Sequence, residues 1–166
     1  MSILEKNDSI WLKSSENGRK FRTLEQNIET DVCVIGGGIT GISTAYYLAK
    51  EGKKVVVLEK DRIGSKTSGG TTGKITSQHH LFYDYLIHSQ NKEFAKKYLK
   101  ANEQAIENIE NIIKTEAIDC DFERKSAFVF TQNLDKLQMI NTEVAAVKSL
   151  GKKANFTNEI EVLGKI

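Results

Sequence analysis

The chain has 166 residues, the length of one ordinary domain and enough to bury a sizeable core. Its 39% apolar and 28% charged residues exclude a disordered segment. With 24 Lys+Arg against 22 Asp+Glu the net charge is only +2, so charge gives no reason to expect nucleic acid or an anionic membrane as the main partner. Residues 1–30 are polar and weakly patterned, with Trp11, Phe21 and Leu24 as the large apolar anchors. They read as an extended leader that docks on the body, and their start lacks the apolar core of a signal peptide. Asp31 opens the β-branched run Val32-Cys33-Val34-Ile35, apolar throughout as in a parallel strand buried on both faces. Three glycines end it. Ile39, Ile42, Ala45, Tyr46 and Ala49 then recur at helical spacing, with Gly52 as the residue that stops the helix. Val55-Val56-Val57-Leu58 is a second buried strand, ending at Glu59. Strand, helix and strand together form one βαβ unit. The uncharged stretch Val32 to Ala49 is 18 residues long, but its four glycines and three hydroxyl residues exclude a membrane-spanning helix.

Residues 61–80 form a long loop of Gly, Ser, Thr and Lys. Ser89 or Asn91 can cap a long helix reaching about Glu116, with the apolar stripe Phe94, Tyr98, Ala101, Ala105, Ile109 and Ile112. Ile118–Phe122 and Ala127–Phe130 read as a hairpin. A last helix runs from about Leu134 to Leu150, with Leu137, Ile140, Val144 and Val147 on one face and Gly151 as its stop. The tail from Asn155 to Ile166 shows no completed element.

The chemistry sits in Gly36-Gly37-Gly38-Ile39-Thr40-Gly41, a G-x-G-x-x-G between a buried strand and a helix. Gly36 allows the tight turn, Gly38 lets a pyrophosphate approach the backbone, and Gly41 lets the helix pack against the strand. The free N–H groups and positive end of the helix that opens at Ile39 and Thr40 then hold the phosphates. Glu59 lies 18 residues after Gly41 (59 − 41), where the fingerprint wants an acid for an adenosine ribose. A carboxylate there repels a 2′-phosphate, which disfavours NADP. A glycine turn serving packing alone and an S-adenosylmethionine site are the competing readings of these residues.

The strand–GGGITG–helix, the VVVLEK that follows and the TSGGTTGKITSQH loop together resemble the start of the FAD-dependent oxidoreductases of the D-amino-acid oxidase (DAO) family. The leader with Trp11 and the run Thr71 to His79 are most similar to a bacterial branch with a C-terminal Rieske iron–sulfur domain. The resemblance implies FAD held by Gly36, Gly38, Gly41 and Glu59, with Lys60, Thr67, Ser68 and Thr72-Gly73-Lys74 along the pyrophosphate and towards the flavin. It implies hydride transfer from an amine or amino-acid-type substrate in the intact protein. A 2Fe-2S centre would belong only to a longer gene product.

The expected fold class is α/β: an incomplete Rossmann-like FAD/NAD(P)-binding βαβ with parallel strands, plus the first hairpin and helix of an α+β substrate domain. The division is 1–30 leader, 31–117 FAD-binding segment and 118–166 start of the substrate domain. Family chains are much longer and close the FAD site with later residues, so the chain reads as a fragment or a truncated protein, inactive alone. Exposed sheet edges, and self-association through them, would follow. A non-catalytic dinucleotide-binding module is the alternative, and an NAD-dependent dehydrogenase the lesser one, because no second βαβ half follows Glu59.

No catalytic acid or base is assigned, and no metal site. His79-His80 lack ligands at metal spacing and read as structural. Cys33 reads as a core residue and Cys120 as half-buried in the hairpin; neither forms a C-x-x-C, and both fit a reducing cytoplasm. Glu103, Glu107 and Glu110 read as a solvated helix face.

Overall fold

The computed structural model describes residues 9–15, 20–160 and 164–165. The chain divides into two compact units, residues 1–74 and 75–166.

In the first unit a short helix α1 (Ile10–Ser14) precedes strand β1 (Val32–Ile35), helix α2 (Ile39–Lys50) and strand β2 (Val55–Leu58). The strands pair in parallel, Val32 with Val55 through Ile35 with Leu58. Six of the eight strand residues are Val or Ile, side chains that suit a pleated, half-buried surface. Strand β1 is pinned where it starts. The Lys54 N–H donates to Asp31 Oδ2 at 2.7 Å, and the Thr30 hydroxyl donates to Lys54 O at 2.6 Å. Gly52 ends α2 at φ +79°, with its N–H on Ala49 O and the Lys53 N–H on Leu48 O.

The expected burial of β1 on both faces does not hold. Val32 and Val34 are half-buried, whereas Cys33 is exposed and Ile35 is 87% exposed. A parallel sheet becomes dry on both faces only when both carry a layer. Among the described residues of this unit, α2 is the helix that packs on the two strands. The apolar anchors of the leader are less buried than its composition suggests. Phe21 and Leu24 are exposed, while α1, its flanking serines Ser9 and Ser15, and Thr30 meet the body.

The second unit is helical: α3 (Tyr83–Ser89), α4 (Lys92–Thr115) and α5 (Leu137–Ser149), with one turn of 3₁₀ helix at Leu134–Lys136 and a small antiparallel pair, β3 (Glu159–Ile160) with β4 (Gly164–Lys165). That pair completes an element in a tail where none was expected. Tyr83, Leu86, Ala95, Leu99, Ala146, Val147 and Leu150 form the core, with Phe82, Ile87, Tyr98 and Ala154 packed on it. Asn91 caps α4, its Oδ1 accepting the Phe94 N–H at 2.9 Å. Gly151 follows α5 at φ +92°, as its place after the apolar stripe requires.

The buried stripe of α4 is turned from the expected one. Ala95 and Leu99 are buried, while Phe94, Ala101 and Ala105 are exposed. The small Ala95 fits against α3, where a Phe would not, and packing rather than size decides the face. The hairpin expected over 118–130 is absent, since these residues pair with no strand. Ala117 and Asp121 take left-handed backbone conformations that break the run, and Ile118, Phe128 and Phe130 stay exposed. A two-stranded hairpin needs a hydrophobic surface to lie on. Cys120 is exposed with it.

Two polar networks tie the helices together. Glu143, 4% exposed, sits among the apolar residues of α5 and caps α3 from outside. Its Oε1 accepts from Gln78 Nε2 at 2.6 Å and from the Phe82 and Tyr83 N–H groups at 3.0 Å each, and its Oε2 accepts from the Asp84 N–H at 2.9 Å. Phe82 offers no capping side chain of its own, so these first-turn donors depend on Glu143. In the second network Lys152 Nζ bridges Ser77 Oγ, at 2.7 Å, and the Glu103 carboxylate. Burial alone would raise the Glu103 carboxyl, but hydrogen bonds from Lys152 and Ser77 outweigh it and hold it below its ordinary value. Tyr83 donates to Ser77 O, and burial pushes its hydroxyl up to about 12. Glu103 and Glu110 therefore do not form the solvated face expected of them, since Glu110 pairs with Lys114 and Arg124 and Glu107 alone is exposed.

Candidate functional site: a glycine turn and its covering loop

Strand β1 runs into Gly36, whose N–H donates to Leu58 O at 2.8 Å and continues the parallel ladder. Gly36 then turns at φ +106°, a conformation that glycine adopts without strain. The chain enters α2 through Gly38, which leaves the first helical N–H groups facing outward. A Cβ on Gly41 would lie 2.0 Å from Gly36 O, so helix and turn touch backbone to backbone. At Gly36 a Cβ would meet nothing within 4 Å, and at Gly38 only Ser68 Oγ, at 3.3 Å. The turn is thus closed towards the helix at Gly41, lined by Ile63 and Glu59 at Gly37 and by Ser68 at Gly38, and open at Gly36.

Glu59 closes the other side. Its Oε2 accepts the Gly37 N–H at 2.6 Å and its Oε1 the Asp61 N–H at 3.0 Å. Backbone donors at Asp61, Gly37 and Lys60 hold the carboxyl below its ordinary value, against the opposing effects of burial and the Asp61 charge. An ionised carboxylate has about four acceptor positions, so with three backbone donors in place one remains for a ribose hydroxyl. It offers no donor to a phosphate. Because the folded-state value is depressed, these bonds contribute fully above the ordinary carboxylate range and are lost as pH falls through the depressed value. In an NMR titration the Gly37 amide should therefore shift together with the Glu59 carboxyl, below the ordinary carboxylate range, and Glu59→Gln should abolish that shift. A Gly37 amide indifferent to pH would show that the bond does not form.

The loop over 62–73 covers the turn. The Gly64 N–H donates to Gly37 O at 2.9 Å, and Ser68 Oγ accepts the Ile39 N–H at 2.9 Å. Ser68 thus stands where the first turn of α2 presents its donors. Of the residues expected at the site, Gly36, Gly38, Ile39, Gly41, Glu59 and Ser68 come together here, with Thr40 in the same helical turn. Lys60 follows Glu59 directly and touches it through the backbone, with its side chain exposed. Thr67, Thr72 and Lys74 are exposed, and among the described residues no hydrogen bond joins their side chains to the glycine turn. Gly73 is taken up by the leader, since its Cβ would fall 2.6 Å from Trp11 Cζ2. Lys66, in the same loop, forms an ion pair with Asp61 at 2.8 Å. Sequence reasoning missed Gly37, whose N–H holds Glu59 and whose Cβ would lie 3.2 Å from Glu59 Cβ. The signal was present, as the variable position of the fingerprint is itself a glycine.

Comparison with known proteins agrees with this geometry. The family model DAO, FAD dependent oxidoreductase, matches residues 31–163. The chain is 36% identical over 155 residues, 93% of its length, to a protein of Bacillus subtilis named for a Rieske 2Fe-2S iron–sulfur centre, and covers 30% of that protein. It is 36% identical over 127 residues, 76% of its length, to the gamma-glutamylputrescine oxidoreductase of Escherichia coli, covering 30% of it. A 65-residue stretch is 37% identical to the glycine oxidase of Bacillus subtilis, spanning 36% of this chain and 18% of that one. The chain therefore spans about a third or less of the length of these relatives. No solved structure matches it. Among the described residues no helix is long and apolar enough to cross a membrane, and no cluster of three His, Cys, Asp or Glu side chains could hold a metal. With a family match over residues 31–163 and a relative 36% identical over 93% of its length, the chain belongs to the DAO family of FAD-dependent oxidoreductases.

Proposed function

We propose that this chain is the FAD-binding part of an oxidoreductase that, in the intact protein, takes a hydride from an amine or amino-acid-type substrate. The single observation that carries the reading is the pairing of a glycine turn closed at Gly41 with an ionised Glu59 across it. In this reading the first-turn N–H groups of α2 at Thr40 and Gly41 face the pyrophosphate, together with the Ser68 hydroxyl that accepts the Ile39 N–H. Glu59 accepts from the adenosine ribose. Thr67, Thr72, Gly73, Lys74 and Lys60 line the approach towards the flavin. Bound FAD supplies the hydride acceptor, and the protein's part is to hold and orient it. Residues 31–117 form the FAD-binding segment and 118–166 begin the substrate domain. The names of the gamma-glutamylputrescine oxidoreductase and glycine oxidase relatives support the amine or amino-acid substrate class. The relative named for a Rieske centre supports a second reading of the electron path, in which electrons leave through an iron–sulfur centre elsewhere in a longer protein.

Titration of the purified chain with FAD, followed by flavin fluorescence, tests the reading, with NAD and Gly38→Trp as controls. Saturable FAD binding, unmatched by NAD and lost in Gly38→Trp, is the expected result. Equal binding of NAD would favour a nicotinamide-using module. Retention of FAD by Gly38→Trp would remove the glycine turn from the site.

A further inference from the structure

We propose that helix α1 is a clamp on the 62–73 loop and that it sets the affinity of the glycine-turn site for its dinucleotide, with Trp11 as the positioning residue. The inference rests on the FAD reading above. The loop is built of small residues, and Gly69 is its buried member. Its one large apolar side chain, Ile63, lies against Gly37 at the foot of the loop, so beyond that point the conformation must come from what grips it. One side is held by the glycine turn, through Gly64 N–H to Gly37 O and Ile39 N–H to Ser68 Oγ.

Four leader residues, Ser9, Trp11, Leu12 and Ser15, hold the other side. Trp11 Nε1 donates to Thr71 O at 2.7 Å, and Ser9 Oγ donates to Gly69 O. Arg62, at the foot of the loop, donates to Ser15 O at 2.5 Å and to Ser15 Oγ at 3.0 Å. Leu12 lies so close to Gly69 that a Cβ there would stand 2.9 Å from its Cδ2. The Trp11 ring lies over Gly73 in the same way, with a Cβ 2.6 Å from Cζ2. Two of the loop's glycines are thus seats for leader side chains.

Ser68 is the link to the site. It adjoins Gly69, where Ser9 and Leu12 grip, and its hydroxyl sits on the first N–H of α2. With the leader seated, the loop that covers the pyrophosphate position is already ordered. Without it, that ordering must be supplied by the binding event, and affinity falls.

The test compares wild type, Trp11→Ala and Trp11→Phe by amide hydrogen exchange and by FAD titration. Trp11→Ala should speed exchange at Gly64 and Gly70, leave the β1 and β2 amides unchanged, and weaken FAD binding by about tenfold, one decade of affinity. Trp11→Phe keeps an aromatic ring beside Gly73 but loses the donor to Thr71 O and the outer indole atoms, so it should fall between the two. It also carries the test if Trp11→Ala fails to fold. Unchanged exchange at Gly64 and Gly70 overturns the clamp. Faster exchange with undiminished FAD affinity overturns its role at the site. If the wild-type chain binds no FAD, the FAD reading fails, the claim about affinity falls with it, and the exchange arm alone still decides whether the leader orders the loop.

Discussion

Gly41→Ala should cost about 3 kcal/mol of stability in the βαβ unit and abolish dinucleotide binding, because overpacking a closed contact costs about 1–3 kcal/mol and here the obstacle is backbone. An alanine ordinarily gains about 0.5–1 kcal/mol over glycine inside a helix, so propensity alone predicts the opposite sign. The structure reverses it. The new Cβ would stand 2.0 Å from Gly36 O and 3.3 Å from Val34 Cγ1. A carbonyl in a turn cannot swing aside as a side chain can, so α2 must lift from β1 and the outward N–H groups lose their aim. Ser43, exposed on the same helix, provides the comparison, and Ser43→Ala should be neutral or slightly stabilising. Urea unfolding followed by exchange at the β1 and β2 amides reads both. A Gly41→Ala chain as stable as Ser43→Ala would mean that the turn and helix do not touch.

The second large effect belongs to Glu143. Glu143→Ala should destabilise the helical unit by about 3 kcal/mol, because it leaves several donors without their acceptor. Four donors lose their acceptor at once, and three of them are the first backbone N–H groups around α3. Each buried donor left unsatisfied costs about 1–3 kcal/mol, with some recovered by water entering the gap. Glu143→Gln keeps an acceptor for Gln78, Phe82 and Tyr83 but turns an NH₂ towards the Asp84 N–H, so about 1–2 kcal/mol is expected. Thermal unfolding of the two variants should rank them wild type, Gln, Ala. An alanine variant close to wild type would show that α3 is capped by other means.

Much of the first unit was legible from local sequence. The β-branched runs, the glycine fingerprint and the acid at the end of β2 lie within one βαβ unit, and each carries its own conformational requirement. Asn91, Gly52 and Gly151 mark helix ends for the same reason, since a cap acts on neighbours a few residues away. Where sequence reading erred, the deciding partner was distant or missing. Periodicity places Phe94 on the buried stripe, whereas the face of α4 that meets α3 buries Ala95 and Leu99. The run Ile118–Phe130 has the composition of strands, but strands need a ladder and a face to cover, and the described residues provide neither. Cys33 and Ile35 were read as core because parallel strands are normally covered twice.

The G-x-G-x-x-G turn is thus written locally, because spacing and glycine identity act through the backbone within a few residues. Only the tertiary structure decided that Glu143 is a cap and that Trp11 is seated on the covering loop. Glu143 meets the Tyr83 N–H, and Trp11 meets Thr71 O, each across 60 residues of chain. A hydrogen bond over such a separation depends on how the elements pack, and no local pattern of residues records that.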